Sequence, residues 1–317
     1  MLMRNPVRSM LVASALIVGG VAAGRADTCS DLLTRFNEAV DTGHDQQAQQ
    51  LVENISTDAL CGRYQVPAQR RLAAFRLDAA QDLMARGRPT IEFEALLMQA
   101  DAPQVLWQAA ATLGEVRFGE RHFADAAVSF DRAIEIVKNE TLTPNAPSKF
   151  EIEELVDRAT QARLLAANGR SDDKAATFVT AANDRRDGKV GGIYSPSVRG
   201  IVPHALPLPI TFDYGKASLT AIGQDAAREL AKVIVEQQPG KVVIVGHTDV
   251  QGDAELNVKL SDERAAAVAA FLQLNGVSVP IETLGVGATQ PYQILDASGL
   301  SQDDIYALNR RVEWRRD

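Results

Sequence analysis

Cysteine is almost absent from this chain of 317 residues, which has only Cys29 and Cys61. Histidine is scarce too: His44, His122, His204 and His247 are scattered, with none near the cysteines. A zinc or other soft-metal site would need such ligands clustered, so no metal is assigned. Aromatic residues make up 5% of the chain, and basic residues do not exceed acidic ones. The formal charge of -8 and pI near 5.2 argue against a nucleic-acid partner, because such proteins are held by positive surface. Long apolar runs are also missing, apart from Met10 to Gly24. At fifteen residues that run falls short of the roughly 20 that a spanning helix needs.

Its flanks explain it better. Arg4 and Arg8 precede the run, and Gly24-Arg25-Ala26 places small residues before a cleavage point after Ala26. Residues 1–26 are therefore expected to be an export signal. A lipid-modified Cys29 fits less well, because Ala26-Asp27-Thr28 departs from the Leu-small-small pattern that precedes such a cysteine. Without residues 1–26 the chain has 30 basic and 41 acidic residues, a charge of -11. In an exported chain an even pair of cysteines reads as a disulfide. A Cys29–Cys61 bond closes a loop of about 33 residues, which the chain-entropy model values at roughly 3–4 kcal/mol.

Residues 27–184 read as an all-α region, with apolar residues recurring at three and four. Leu32, Leu33, Phe36 and Val40, then Ala48, Leu51 and Val52, predict a hairpin turning at Thr42-Gly43-His44. Further amphipathic runs cover Leu72 to Met84, Glu92 to Met98 and Glu151 to Ala167. Between them, Val105 to Lys138 places Leu113-Gly114, Phe118, Phe123, Ala126, Phe130 and Ala133 where a tetratricopeptide repeat has its large and small residues. Gly114 and Ala126 are expected where two helices approach closely. Arg117 departs from that resemblance, since an aromatic is usual there. One such unit cannot bury its own face, so neighbouring helices must stack on it. Arrays of this kind hold a protein or peptide, or else act as a spacer. Trp107 and the phenylalanines are expected in the core.

Residues 185–206 change character. Gly188, Gly191, Gly192 and Gly200, with Pro196 and Pro203, resist helix and read as a linker. Residues 207–317 then alternate in type. Ile210 to Tyr214 is expected as a strand, followed by a helix capped at Ser218 with a stripe of Leu219, Ile222, Ala226, Leu230, Val233 and Ile234. Lys241 to Val245 reads as a buried strand. The next helix starts near Asp253 and stops before Gly276, with Leu256, Leu260, Ala267 and Phe271 inward. Ile281 to Gly285 is a third strand, Pro291 to Leu308 a polar loop, and Arg311 to Arg315 a last strand. The expected class is α+β, a β-α-β-α-β-β mixed sheet with its helices on one face, preceded by the all-α region.

Within that domain one stretch concentrates polar residues, Gly246 to Val268. It delivers His247, Thr248 and Asp249 to a strand tip, and Asn257, Ser261 and Arg264 to one face of the next helix. An acid and a base fifteen positions apart on rigid elements suit a zwitterion, such as the two ends of an amino acid. The plainer alternative is a salt bridge between Asp249 and Arg264 themselves. His247 has no nucleophile or metal partner, so it reads as a packing or hydrogen-bonding residue and no catalytic residue is assigned.

The motifs Phe212-Asp213, Gly246-His247-Thr248-Asp249, Asn257-x-x-Leu260-Ser261-x-x-Arg264-Ala265-x-x-Val268 and Asn309-Arg310-Arg311-Val312-Glu313, in this order, resemble the OmpA-like (OmpA/Pal/MotB C-terminal) domain. The resemblance implies non-covalent binding of peptidoglycan in Gram-negative bacteria, through the meso-diaminopimelate of the stem peptide. By position Asp249 and Arg264 match the pair that grips the amino and carboxylate groups. Phe212, Asp213, Thr248, Asn257 and Arg310 match positions bordering that pocket, while Asn309 and Arg311 are expected to fix the last strand. The expected protein is then a periplasmic, non-enzymatic, cofactor-free peptidoglycan binder whose helices hold a protein partner. Association with the outer membrane is left open. A wall-modifying enzyme would need a metal triad or a close carboxylate pair, which the sequence does not display. A membrane-anchored stator component would need a spanning helix with an ionisable residue inside it.

Overall fold

The computed structural model describes residues 26–172 and 197–315. The expected export signal, apart from Ala26, lies outside the described residues, as does most of the linker with Arg185, Arg186 and Lys189. Packing divides the chain into two compact units, Met1–Leu72 and Ala73–Asp317.

In the first unit, α1 (Ala26–Asp41) and α2 (Asp45–Thr57) form the expected hairpin. Gly43 takes φ +78° at the turn, a conformation glycine adopts without strain. Phe36, Ala48 and Ile55 are fully buried between the two helices' apolar stripes. Cys29 and Cys61 are joined, with Cα atoms 5.5 Å apart. Helix α3 (Gln65–Ala85) starts in this unit and continues into the second. Pro67 lies in its first turn, where the missing N–H has no helical partner to lose.

The second unit continues with α4 (Thr90–Asp101), α5 (Trp107–Gly119), α6 (Phe123–Lys138) and α7 (Lys149–Ala167), each packed on the next. Gly114 faces the Phe130 ring so closely that a Cβ there would come within 2.7 Å of it. Phe118, Phe123 and Phe130 are buried in the core. Arg117 instead donates to the Ser129 hydroxyl at 2.9 Å, linking α5 to α6. A capping box between Ser148 and Glu151 starts α7.

A mixed sheet of four strands follows, ordered β1-β4-β2-β3: β1 (Ala205–Leu208), β2 (Val242–Gly246), β3 (Ile281–Gly285) and β4 (Val312–Arg315). β4 runs antiparallel to both β1 and β2, while β2 and β3 are parallel across the connecting helix α9 (Ala254–Leu274). Leu206, Leu208, Val242, Ile244, Val312 and Trp314 point to one face and share a buried core with α9 and α8 (Ala221–Gln237). Across the opposite face lies a cavity of about 750 Å³, walled by Val156 and Asp157 of α7, Ala205 and Pro207 of β1, and Glu313 of β4.

Several local expectations are corrected. The first strand is Ala205–Leu208 rather than Ile210 to Tyr214. Leu206 and Leu208 supply the inward pair, and Pro207 is tolerated because β1 is an edge strand. Phe212 forms only an isolated bridge to Leu219, closing a turn. Thr220, not Ser218, caps α8, accepting from the Gly223 N–H at 3.0 Å. Leu256 is 66% exposed and Ile222 41%, so neither faces the core. Ser261 lies against Gly246, the last residue of β2, and so the turns of α9 before Ser261 extend past the sheet. The loop Pro291 to Leu308 contains a further helix, α10 (Gln302–Asn309), started by a Ser301/Asp304 capping box.

Asp304 ties α10 to the preceding helices. Its fully buried carboxylate accepts from Arg121 at 2.8 and 3.1 Å, from Arg170 at 2.7 Å and from the Ser301 hydroxyl at 2.6 Å. Burial alone raises its pKa, but these donors outweigh burial and hold it well below the usual carboxylate range. Asp304→Ala leaves two guanidiniums without their shared acid, so denaturant unfolding of the full chain should show a loss on the order of 3 kcal/mol. A loss below about 0.5 kcal/mol, the scale of an ordinary surface substitution, contradicts this role.

Candidate functional site

The polar stretch is built where β2 ends beneath α9. A Cβ on Gly246 would lie 2.0 Å from the Ser261 carbonyl oxygen, and one on Gly285 2.3 Å from the Asp262 nitrogen. These two glycines are direct neighbours across β2 and β3, so the helix rests on backbone alone at this point. The Ser261 hydroxyl then accepts from the Gly287 N–H at 2.9 Å and donates to the Val258 carbonyl at 2.7 Å. The helix starts and stops where expected: Asp253 caps it through the N–H groups of Glu255 and Leu256, and Gly276 with φ +93° follows its end.

Asp249 is 7% exposed and is fixed from three sides. Its Oδ1 accepts from the Gln251 N–H at 3.0 Å, and its Oδ2 from Arg310 Nη1 at 2.6 Å. Asn257 holds the same loop by donating to the Gln251 carbonyl at 2.9 Å and the Asp249 carbonyl at 3.4 Å. Thr248 is buried, its N–H bonded to the Gly287 carbonyl and its hydroxyl without a partner among the described residues.

Arg264, one turn beyond Ser261, is 6% exposed. Its guanidinium carbon sits 5.1 Å above the Phe212 ring centre, and its Nε donates to the Lys216 carbonyl at 3.0 Å. Both partners come from the turn that the Phe212–Leu219 bridge closes, where Gly215 takes φ +66°. Burial lowers the Arg264 pKa, the nearby Arg310 guanidinium lowers it further, and Asp249 opposes them. Among the described residues no carboxylate lies within ion-pair distance of Arg264. The ion pair of Asp249 is thus with Arg310 and not with Arg264.

The structure accordingly gathers Asp249, Arg264, Phe212, Asn257, Thr248 and Arg310 around one strand tip. Asp213 stands exposed on the same turn, where its backbone bonds Ser218 and Lys216. The Lys216 carbonyl and the Gln251 N–H escape sequence reading, since any residue could supply them. The cavity on the far face of the sheet is a separate place, lined by none of these side chains.

Behind the tip, a buried charge cluster holds the β4 end. Glu313 Oε1 accepts from Arg311 Nε at 2.8 Å and Nη2 at 2.6 Å, and His247 Nε2 lies 3.2 Å from Oε2. His247 Nδ1 is 3.2 Å from the Gln290 carbonyl. His247 is thus buried among polar contacts, within the packing or hydrogen-bonding role expected, and Asn309 receives the Tyr292 N–H at 2.9 Å. Burial raises the Glu313 pKa, yet His247 and Arg311 outweigh burial and bring it to about 2.

Fold and site together define an α+β domain that offers an acid and a buried guanidinium at one strand tip. Residues 211–298 match the model of the OmpA family, which supports an OmpA-like domain over that stretch. The photosystem I P700 chlorophyll a apoprotein A2 of Gloeobacter violaceus is 33% identical over 141 residues, covering 44% of this chain and 16% of that protein. The probable lipoprotein YiaD of Escherichia coli is 35% identical over 109 residues, 34% of this chain and 48% of YiaD. A peptidoglycan-associated lipoprotein of Pseudomonas putida is 34% identical over 106 residues, 33% of this chain and 60% of the relative. The chain spans less than two thirds of each.

Because the folded pKa of Glu313 lies below its ordinary 4.5, its stabilisation is complete above pH 4.5 and is lost as pH falls towards about 2. Urea unfolding between those limits should cost the wild type on the order of 2–3 kcal/mol more than Glu313→Gln. Parallel pH profiles for the two proteins count against the cluster.

Proposed function

We propose that this chain is a periplasmic protein that binds peptidoglycan non-covalently through the diaminopimelate of the stem peptide. The observation that carries the reading is Arg264: buried, stacked on Phe212, and without an acid of its own beside the Asp249–Arg310 pair. A guanidinium in that setting favours a carboxylate that arrives with a ligand, since charge-assisted bonds of this kind are about twice as strong as neutral ones. Asp249 suits the ammonium on the same ligand carbon, and Thr248, Asn257, Asp213 and Phe212 border them. The OmpA-family match and the peptidoglycan-associated relative support the same ligand class.

In this reading residues 1–26 direct export, which suits the Cys29–Cys61 disulfide. Residues 27–184 form a tetratricopeptide-like scaffold for another envelope protein. The domain of residues 207–317 then holds that assembly to the cell wall, either in the periplasm or next to the outer membrane. No catalytic role is included.

Residues 27–317 should co-sediment with isolated sacculi, and Asp249→Ala or Arg264→Ala should each weaken this at least about tenfold. Sedimentation unchanged by both substitutions removes the pocket assignment. Soluble fragments released during the same incubation would favour a wall-cleaving enzyme instead.

A further inference from the structure

The position of Arg310 bears on which ligands the site accepts. Asp249 has one oxygen held by the Gln251 N–H and the other by Arg310 Nη1 at 2.6 Å. An incoming ammonium therefore meets an acid that already has a cation. Of the two arginines, Arg264 is buried and braced by Phe212 and the Lys216 carbonyl, while the Arg310 side chain is 37% exposed. Arg310 begins at the C-cap of α10, where its backbone N–H bonds the Tyr306 carbonyl. Its backbone is anchored, while the head that pairs with Asp249 is partly exposed.

We propose that Arg310 is an exchangeable counter-ion that makes the site selective for zwitterions: it leaves Asp249 when a ligand ammonium arrives and moves to the carboxylate on the same ligand carbon. This rests on the diaminopimelate reading above. The physical reason is charge balance among two guanidiniums and one carboxylate. A ligand with only an ammonium would displace Arg310 and leave two guanidiniums facing each other without a new anion. In the same direction, the nearby Arg310 guanidinium adds to burial in lowering the Arg264 pKa. A zwitterion brings the missing anion, so displacement and rescue occur together. Selectivity then comes from a penalty placed on the wrong ligand as well as from contacts to the right one.

The test uses residues 27–317 and two synthetic tripeptides, L-Ala-γ-D-Glu-meso-diaminopimelate and the same peptide ending in L-lysine, whose side chain carries an amine alone. Calorimetry gives the ratio of their affinities. In wild type the diaminopimelate peptide should bind more tightly, and in Arg310→Gln the ratio should shrink about fivefold. Part of that shrinkage should be a gain in affinity for the lysine peptide. Arg310→Lys, which keeps the charge, should hold the ratio within about twofold of wild type and provides the comparison if the glutamine variant folds poorly. Equal losses for both peptides in Arg310→Gln, with the ratio unchanged, overturn the exchange and leave the diaminopimelate reading standing. Failure of wild type to bind either peptide removes that reading and the exchange with it.

Discussion

The site depends on one steric constraint, the contact of α9 with bare backbone at the ends of β2 and β3. Side chains at 246 and 285 would overlap helix backbone at 2.0 and 2.3 Å, so glycine at both positions sets the height of the helix above the sheet. Close-packed interiors do not absorb such overlaps without displacing whole elements. With the height fixed, Ser261 reaches Gly287, Asn257 lies one turn before it and Arg264 nearly one turn after. The acid–base spacing is therefore set by backbone packing before any charged side chain takes part.

The treatment of buried charge differs between neighbouring places in the same domain. Asp304 receives two arginines and a capping hydroxyl, and Glu313 receives Arg311 and His247. Both carboxylates stay ionised against burial. Arg264 is comparably buried, but among the described residues it has no ion pair: a carbonyl and an aromatic face hold it, with the opposed charges of Arg310 and Asp249 nearby. A desolvated charge left this way is costly and persists where an external partner repays the cost. That contrast, rather than burial alone, sets Arg264 apart from the structural ion pairs and supports the binding role proposed for it.

What the sequence disclosed was mainly local. The polar stretch, the Asp253 cap, the Gly276 stop and the strand Ile281–Gly285 follow from short-range rules and lie where expected. The Asn257, Ser261 and Arg264 face follows from helical periodicity. The first strand was obscured because Leu-Pro-Leu-Pro resembles a linker, and only pairing with β4 makes it a strand. Helix α10 was hidden in a polar segment, although Ser301 and Asp304 carry a capping pattern. The arginine partners of Asp249 and Asp304 do not follow from local pattern, and only the family resemblance pointed to Arg310. They come from 61, 134 and 183 residues away, where no periodicity connects them.

Those distant contacts converge on α10. Its first turn is fixed by Asp304 to Arg121 and Arg170, and its C-cap residue is Arg310. The following residues, Arg311 to Glu313, enter β4 and the charge cluster behind the strand tip. The backbone from which Arg310 projects is thus held at both ends. The exchange proposed for Arg310 then needs a side-chain rotation and no displacement of α10. Through Asp304, Arg121 and Arg170 thus take a physical part in placing the Arg310 end of the candidate site.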